Sequence, residues 1–245
     1  MRRILFHVFG RPIYSYPAML YLGIVLGIYA ELHAAKSIGL ATENVLAATL
    51  ILVTLAMIGA RLLHVVSFWN LYRHNLKHIL NFSSGGVSSY GVLLVPVPAS
   101  VLVLAALGLP FGGFWDVATF TILVAMIVGR GGCFLHGCCS GRPTLSKWGW
   151  NLPNHEGIWC RRIPMQALEA TLVLIVLTGA LLLWGRLPFQ GAVFLYAIVA
   201  YGLGRLVLES LRAEQDRLLG MSVHKAISVG LVTASLGAFA IARWH

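Results

Sequence analysis

Residues 129–142 read GRGGCFLHGCCSGR, with two arginines, one histidine and three cysteines among five glycines. They close a long apolar run, so these polar groups fall at the end of a predicted membrane helix. A charge at that depth costs on the order of a few kcal/mol unless something compensates it. Glycine lets backbone amides approach a ligand, and arginine makes paired hydrogen bonds to phosphate oxygens. The stretch reads as an anionic headgroup site cut into a membrane protein.

A second constellation lies at YGLGRLVLESLR, where Arg205 and Glu209 are four residues apart. That spacing places both on one helical face, so they can pair. The structural alternative is a buried ion pair locking two helices; intramembrane ionisable groups are functional candidates by default. Arg61 and His64 in GARLLHVV end another apolar segment three residues apart. They fit a headgroup contact or a snorkelling arginine with an interfacial histidine. Tyr16 and Tyr90 stand at helix starts, where interfacial tyrosines are routine. Gln166 and Glu169 in IPMQALEA follow Pro164 and suit the first turns of a helix, where acidic groups favour the dipole.

Cysteines 133, 138, 139 and 160 are the only ones in the chain, and all fall in or beside one loop. With His136 and His155 they invite a zinc reading, but adjacent cysteines seldom ligate one ion. A disulfide, small packing residues, and a thiol activated by neighbouring arginines remain alternatives. The expectation is a site without metal or cofactor.

These residues need a frame that holds them at membrane depth. Of 245 residues, 58% are hydrophobic and 11% charged, with a mean hydropathy of +0.82. Soluble domains carry about 25% charged residues, so the composition is that of a membrane protein. Seven apolar segments can be marked, at 13–34, 46–68, 87–109, 113–134, 165–186, 188–210 and 222–242. Each is about 20 residues, enough to cross roughly 30 Å of hydrocarbon. Unpaired backbone amides are not tolerated in lipid, so the spans are expected to be helices. The expected fold is all-α: a seven-helix polytopic membrane protein, one integral-membrane domain over 1–245, with a small loop-built head on one side.

Gly23 and Gly27 form a small-xxx-small pair that predicts a close helix contact. Pro96 and Pro98 are expected to break or kink the third span near Tyr90. The N-terminal MRRILFHVFGRPIYSYP has no clean apolar stretch ending in a cleavage site and reads as an amphipathic lead-in to the first helix. The longer polar stretches 69–86 and 135–164 lie on the N-terminal side, as does 211–221; elaborated loops on a rigid scaffold carry function. The formal charge of +10 comes without a soluble basic domain, which favours anionic lipid over nucleic acid as partner.

In order along the chain, these pieces resemble the prolipoprotein diacylglyceryl transferase family. That family's signature reads G-R-x-G-N-F-x-N-x-E-x-x-G-R, and Arg130, Gly132, Phe134, Gly141 and Arg142 match it. SYPAML at 15–20 resembles the family's tyrosine-bearing first-helix motif, which places Tyr16. GARLLH at 59–64 resembles its second-helix glycine-glycine-arginine motif, and GGVSSYGV at 85–92 its GGMSFHGG. PMQALEA at 164–170 resembles PSQLYEA, and GRLVLESLRAEQD at 204–216 resembles GRFIVEFFREPD, placing Arg205 and Glu209. The chain departs from the pattern at Cys133 (asparagine in the family), at His136 (asparagine), at Cys138 (glutamate) and at Tyr90 (histidine).

The resemblance implies an enzyme of the bacterial cytoplasmic membrane that takes phosphatidylglycerol, or another anionic phospholipid, from the bilayer. The diacylglyceryl group would pass to the lipobox cysteine thiol of a preprolipoprotein, releasing glycerol phosphate. Within that scheme Arg130 and Arg205 stabilise the phosphate leaving group, and Glu209 orients Arg205. A tyrosine with an ordinary pKa near 10 is a poor base at neutral pH, so His136 is the better proton acceptor. Tyr90 then hydrogen-bonds the lipid. Tyr16, Arg61, Gly132, Cys133, Gly141, Arg142, Gln166 and Glu169 are expected to bind substrate. The departures leave two alternatives: a related enzyme using a phospholipid donor with a different acceptor, or a membrane protein that only binds headgroups. All lysines and arginines except Lys36, Arg186 and Arg243 fall on the N-terminal side, which the positive-inside rule places in the cytoplasm. The family implies the opposite orientation, and the arginines at 61, 130, 142 and 205 have motif reasons to be there.

Overall fold

The computed structural model describes residues 2–67, 69–73, 95–153, 157–212, 217–218, 221–222, 229–230, 232–233, 235, 237 and 239. They are mostly helical. Strands β1 (Ile4–Val8) and β2 (Arg11–Tyr14) precede α1 (Ser15–Ser37), α2 (Thr42–Ser67), the single turn α3 (Trp69–Tyr72), α4 (Pro96–Ala106) and α5 (Phe111–His136). Then come β3 (Trp150–Pro153), β4 (Trp159–Arg162), α6 (Met165–Leu183), α7 (Ala192–Glu209), β5 (Arg217–Leu218) and β6 (Met221–Ser222). Helices α1, α2, α5, α6 and α7 are long and apolar enough to cross a membrane. Large apolar side chains such as Ile175, Leu182 and Val207 lie exposed on them, as a lipid-facing surface requires. This is a multi-pass membrane protein.

Two of the expected spans meet the limits of the described residues. Part of the third (87–109) is described as α4, and the seventh (222–242) is described only at Ser222 and at seven later positions, all of them helical. The prolines at 96 and 98 open α4, with Pro96 its first residue; the expected break or kink near Tyr90 lies outside the described residues. A proline lacks the N–H that the first helical turn leaves unpaired anyway, and its φ is already helical. The N-terminal lead-in is also different from the expected amphipathic segment. It folds as the antiparallel hairpin β1–β2, tied to the start of α1 by the Ser15 N–H donating to the Arg3 carbonyl at 2.9 Å. A two-residue Phe9-Gly10 turn, both residues with positive φ, closes the hairpin in the sense that matches the twist of its strands.

The chain divides into two compact units, residues Leu32–Phe114 and the remainder. In the first, α2 packs on α4, and Asn44 Nδ2 donates to the Leu107 carbonyl at 2.9 Å. Arg61 is buried there with its guanidinium 5.4 Å from the centre of the Tyr72 ring, and His64 meets the same ring edge-on at 6.0 Å.

The second unit holds the signature. A Cβ on Gly23 would come within 2.9 Å of the Ala125 Cα, and one on Gly27 within 2.7 Å of the Thr121 backbone. So α1 and α5 touch backbone to backbone along the small-xxx-small face. Thr121 Oγ1 donates to the fully buried Glu31 carboxylate at 2.5 Å on the same seam. Helix α6 packs on α7. Asp116 of α5 anchors α7: its carboxylate accepts the Gly191 N–H at 2.6 Å and the Phe194 N–H at 2.9 Å. Those amides belong to the unpaired first turn of α7, so one carboxylate fixes that helix's position and pitch. Trp115 stacks on Phe194 at 4.9 Å beside this anchor.

Candidate active site

Each functional side chain in the second unit is delivered by a short-range rule. On α7, Tyr201, Arg205 and Glu209 recur every four residues and so share one face. On α6, Gln166 and Glu169 are three apart and share another. At the close of α5, Arg130 and Cys133 have the same spacing. Gly132 lets α5 reach α1, because a Cβ there would lie 2.9 Å from the Met19 Cβ and 3.2 Å from the Tyr16 Cα. Tyr16 is thereby held beside the signature.

The faces meet on the Glu169 carboxylate. Arg130 pairs with one oxygen and Arg205 with the other, and Arg212 Nη1 approaches the second at 3.7 Å. Arg205 also reaches Glu209 at 3.2 Å across one helical turn. The Tyr201 hydroxyl lies close to the Arg130 and Arg205 guanidiniums. Glu169 and Glu209 are almost wholly buried, at 2% and 1% exposure, while Arg130 retains 21%. Buried carboxylates survive because guanidiniums neutralise them and satisfy their lone pairs. Among the described groups of this cluster, three arginines face two glutamates, leaving one positive charge in excess.

The rest of the signature builds the wall. After His136, the chain turns through Gly137 at φ +81° and Cys139 at φ +62°. The Cys138 N–H closes the turn on the Cys133 carbonyl at 3.1 Å. Gln166 Nε2 holds it from outside by donating to the Cys138 carbonyl at 2.6 Å. Gly141 then runs against the chain before α6, its N–H donating to the Ile163 carbonyl at 2.9 Å; a Cβ would meet that oxygen at 2.8 Å. Arg142 donates from its backbone N–H to the Leu211 carbonyl at 3.1 Å and from Nε to the Arg212 carbonyl at 2.9 Å. It is exposed, and its contacts hold the segment that carries Arg212.

Three thiols converge at this turn. The Sγ atoms of Cys133, Cys138 and Cys139 all lie within 4.8 Å of one another, and those of Cys138 and Cys139 are 3.7 Å apart. All four cysteines are free thiols. Hydrogen bonding from Cys133 and then Cys138, with help from the Arg130 and Arg212 guanidiniums, holds the Cys139 thiol far below its usual range against the opposing effect of burial. For Cys138, a hydrogen bond with Cys133 pulls down, but the Cys139 hydrogen bond and burial outweigh it and push the thiol up to about 11. His136, at the end of α5, has a buried Nδ1 with no hydrogen-bond partner among the described residues.

The structure thus brings together Tyr16, Arg130, Gly132, Cys133, His136, Gly141, Arg142, Gln166, Glu169, Arg205 and Glu209 within one compact unit. Arg61 belongs to the other unit. Tyr90, with its GGVSSYGV segment, and His155 lie outside the described residues. Two members of the cluster were missed: Tyr201 and Arg212. The four-residue recurrence 201, 205, 209 was a readable signal for the first. For the second, the signal was a further arginine one helical heptad beyond Arg205.

The described residues thus belong to a polytopic membrane protein with guanidiniums gathered around a buried carboxylate. A family model described as prolipoprotein diacylglyceryl transferase matches residues 3–241, and the chain belongs to that family. It is 27% identical over 229 residues to the phosphatidylglycerol–prolipoprotein diacylglyceryl transferase of Clostridioides difficile (strain 630), covering 94% of this chain and 90% of that one. Over 238 residues it is 25% identical to the protein of the same name from Finegoldia magna, covering 96% and 94%. A Bacillus cereus protein of that name is 27% identical over 237 residues.

Proposed function

We propose that this chain transfers the diacylglyceryl group of phosphatidylglycerol to the lipobox cysteine of a preprolipoprotein, releasing glycerol phosphate. The observation that carries the reading is the meeting of Arg130 and Arg205 on one buried carboxylate. Two guanidiniums that share a carboxylate are spaced to share a phosphate, whose oxygens present the same acceptor geometry.

In this mechanism the phosphodiester enters beside Arg130, the more exposed of the two, and takes over hydrogen bonds that Glu169 holds in its absence. The acceptor thiol loses its proton to His136 and attacks the glyceryl carbon. As the carbon–oxygen bond breaks, charge grows on the phosphate oxygen. Arg130 and Arg205 are already in place to meet it, so little reorganisation is needed. Glu209 keeps Arg205 aimed, and Tyr90 hydrogen-bonds the lipid. Tyr16, Gly132, Cys133, Gln166 and Glu169 line the substrate path, while Gly141 and Arg142 hold its wall.

The full architecture that goes with this reading is a single seven-span domain in the bacterial cytoplasmic membrane. Its loop-built head, containing β3 and β4, faces away from the cytoplasm together with the site. The charge distribution argues for the opposite orientation. Labelling a cysteine placed at position 75 in intact cells with an impermeant reagent decides between them, because labelling requires that side to be external.

Purified protein incubated with labelled phosphatidylglycerol and a lipobox peptide tests the function. Label appearing on the peptide thiol supports transfer. Lipid consumption with the peptide unchanged points to another acceptor, the reading favoured by cysteines at 133 and 138. Binding without turnover leaves a headgroup receptor. His136→Ala is expected to reduce turnover more than Tyr90→Phe, and the reverse order removes His136 as the base.

A further inference from the structure

We propose that Cys133, Cys138 and Cys139 form a site for one thiophilic divalent cation of the zinc type, with its fourth position taken by the acceptor thiol. The proposal rests on the transferase reading and supplies the step that activates its nucleophile.

The first support is geometric. A zinc–sulfur bond of about 2.3 Å at tetrahedral angles separates ligand sulfurs by about 3.8 Å. Cys138 and Cys139 are 3.7 Å apart, and Cys133 falls within 4.8 Å of both. A disulfide requires about 2.0 Å between sulfurs, and the structure holds all three as thiols. Only side-chain rotation separates this arrangement from a three-sulfur ligand set. His136 is not among the atoms gathered within that distance, so the described residues provide three ligands rather than four.

The second support is in the backbone. Adjacent cysteines seldom serve one ion because an ordinary backbone points neighbouring side chains apart. Here Cys139 adopts a left-handed conformation, at φ +62°, that costs a non-glycine residue on the order of 1–3 kcal/mol. That conformation brings its sulfur round to the other two. The surrounding structure enforces it: Gln166 grips the Cys138 carbonyl, Ser140 Oγ donates to the Pro153 carbonyl at 3.0 Å, and Gly141 is bonded to Ile163.

Electrostatics agree as well. Three thiolates around a divalent cation carry a net negative charge, and Arg130 stands one helical turn from Cys133 on the same face of α5. Arg130 also pairs with Glu169, so the cation site and the phosphate site adjoin.

The chemistry follows. An incoming cysteine thiol gives up its proton on coordination, because a metal-bound thiol is deprotonated outright. The proton passes to His136, three residues beyond Cys133 on the same side of α5. A lone pair of the bound sulfur forms the new carbon–sulfur bond to the glyceryl carbon. The carbon–oxygen bond breaks with its electron pair leaving on the phosphate oxygen, toward Arg130 and Arg205. No electron is exchanged with any other species. The metal remains on its three ligands when the thioether product, a far weaker ligand, dissociates.

The test uses the purified full-length protein in detergent under reducing conditions. Bound zinc is counted by mass spectrometry, then stripped with a chelator and replaced by titrated Co²⁺. One metal per chain with a thiolate-to-cobalt absorption band is expected, lost in Cys133→Ser, Cys138→Ser and Cys139→Ser and kept in Cys160→Ser. A lipobox peptide should alter the band, and its cysteine-to-serine analogue should not. Stripping should lower peptide lipidation at least about tenfold, and Zn²⁺ should restore it. Comparing stripped and reloaded wild-type protein separates loss of metal from misfolding of a variant. Failure of the wild type to bind metal, or equal binding by all four variants, overturns the site. Lipidation unaffected by stripping also overturns it and leaves the transferase reading standing. A cobalt site that responds to the peptide thiol in a protein that transfers no lipid upholds the site and ends the transferase reading instead.

Discussion

Asp116 and Glu169 are carboxylates buried near opposite ends of the helices that carry the site, and they are satisfied in contrasting ways. Asp116 accepts two backbone N–H groups from the start of α7. Glu169 is held by the side chains of Arg130 and Arg205, with Arg212 nearby. Backbone amides at a helix start cannot leave without unwinding the helix, so Asp116 is a fixed joint. Guanidiniums on flexible stems can pass from one anion to another, so Glu169 occupies a position where exchange is possible. The same chemical group is architecture at one end and part of the proposed chemistry at the other. What differs is whether its partners can change.

Substitutions can break or sharpen that contrast. The largest effect is expected for Arg205→Ala, which strips Glu169 and Glu209 of a shared buried partner. A loss of roughly 10²–10³-fold in kcat/KM for peptide lipidation is expected, by analogy with breaking a buried ion pair. Arg205→Lys should recover only part of it, because a single ammonium cannot bridge two carboxylates in the same plane. If alanine leaves transfer intact, the cluster is a structural lock like Asp116.

Glu169→Gln comes next. Without its charge the arginines hold phosphate more tightly in both substrate and product. Steady-state kinetics should show kcat and the KM for phosphatidylglycerol falling together, each by about tenfold. A fall in kcat alone would mean that Glu169 only positions the arginines.

Arg142→Ala removes the hydrogen bond that its side chain makes to the Arg212 carbonyl. A charge-assisted hydrogen bond is worth about 1.5–3 kcal/mol when well made, and this one is exposed, so a loss of about tenfold or less in transfer is expected. Arg142→Lys tests whether charge or the forked geometry matters. The smallest effect on chemistry belongs to Asp116→Ala. Losing a helix cap costs about 1–2 kcal/mol, visible as a lower unfolding temperature in detergent, while the folded fraction keeps its kcat/KM. Comparable losses of activity from Asp116→Ala and Arg205→Ala would erase the distinction between the two carboxylates.

Much of the frame was legible in the residue order. Apolar runs about 20 residues long can hide their backbone from lipid only as helices, so the starts and ends of α1, α2, α5, α6 and α7 fall within a few residues of the expected segments. The Gly23–Gly27 contact was legible for the same local reason, since only small side chains permit backbone approach. Hairpin β1–β2 was not, because an apolar stretch broken by arginines has no single period to read. The Arg205–Glu209 pair follows from helical spacing alone. That Glu169 would lie between Arg130 and Arg205 depends on three helices meeting, which no spacing within any one of them encodes.

By itself, then, the sequence determined the helices, the membrane setting, the family and the list of groups able to do chemistry, because each depends on residue type and short-range periodicity. Tertiary structure alone decided which groups meet. It set Glu169 between two arginines and gave Asp116 to the amides of α7. It also folded the turn after α5 so that Cys138 and Cys139 come back beside Cys133. The reason is physical: these groups act over a few ångströms, and distances that short are fixed only when the helices and the turns between them pack.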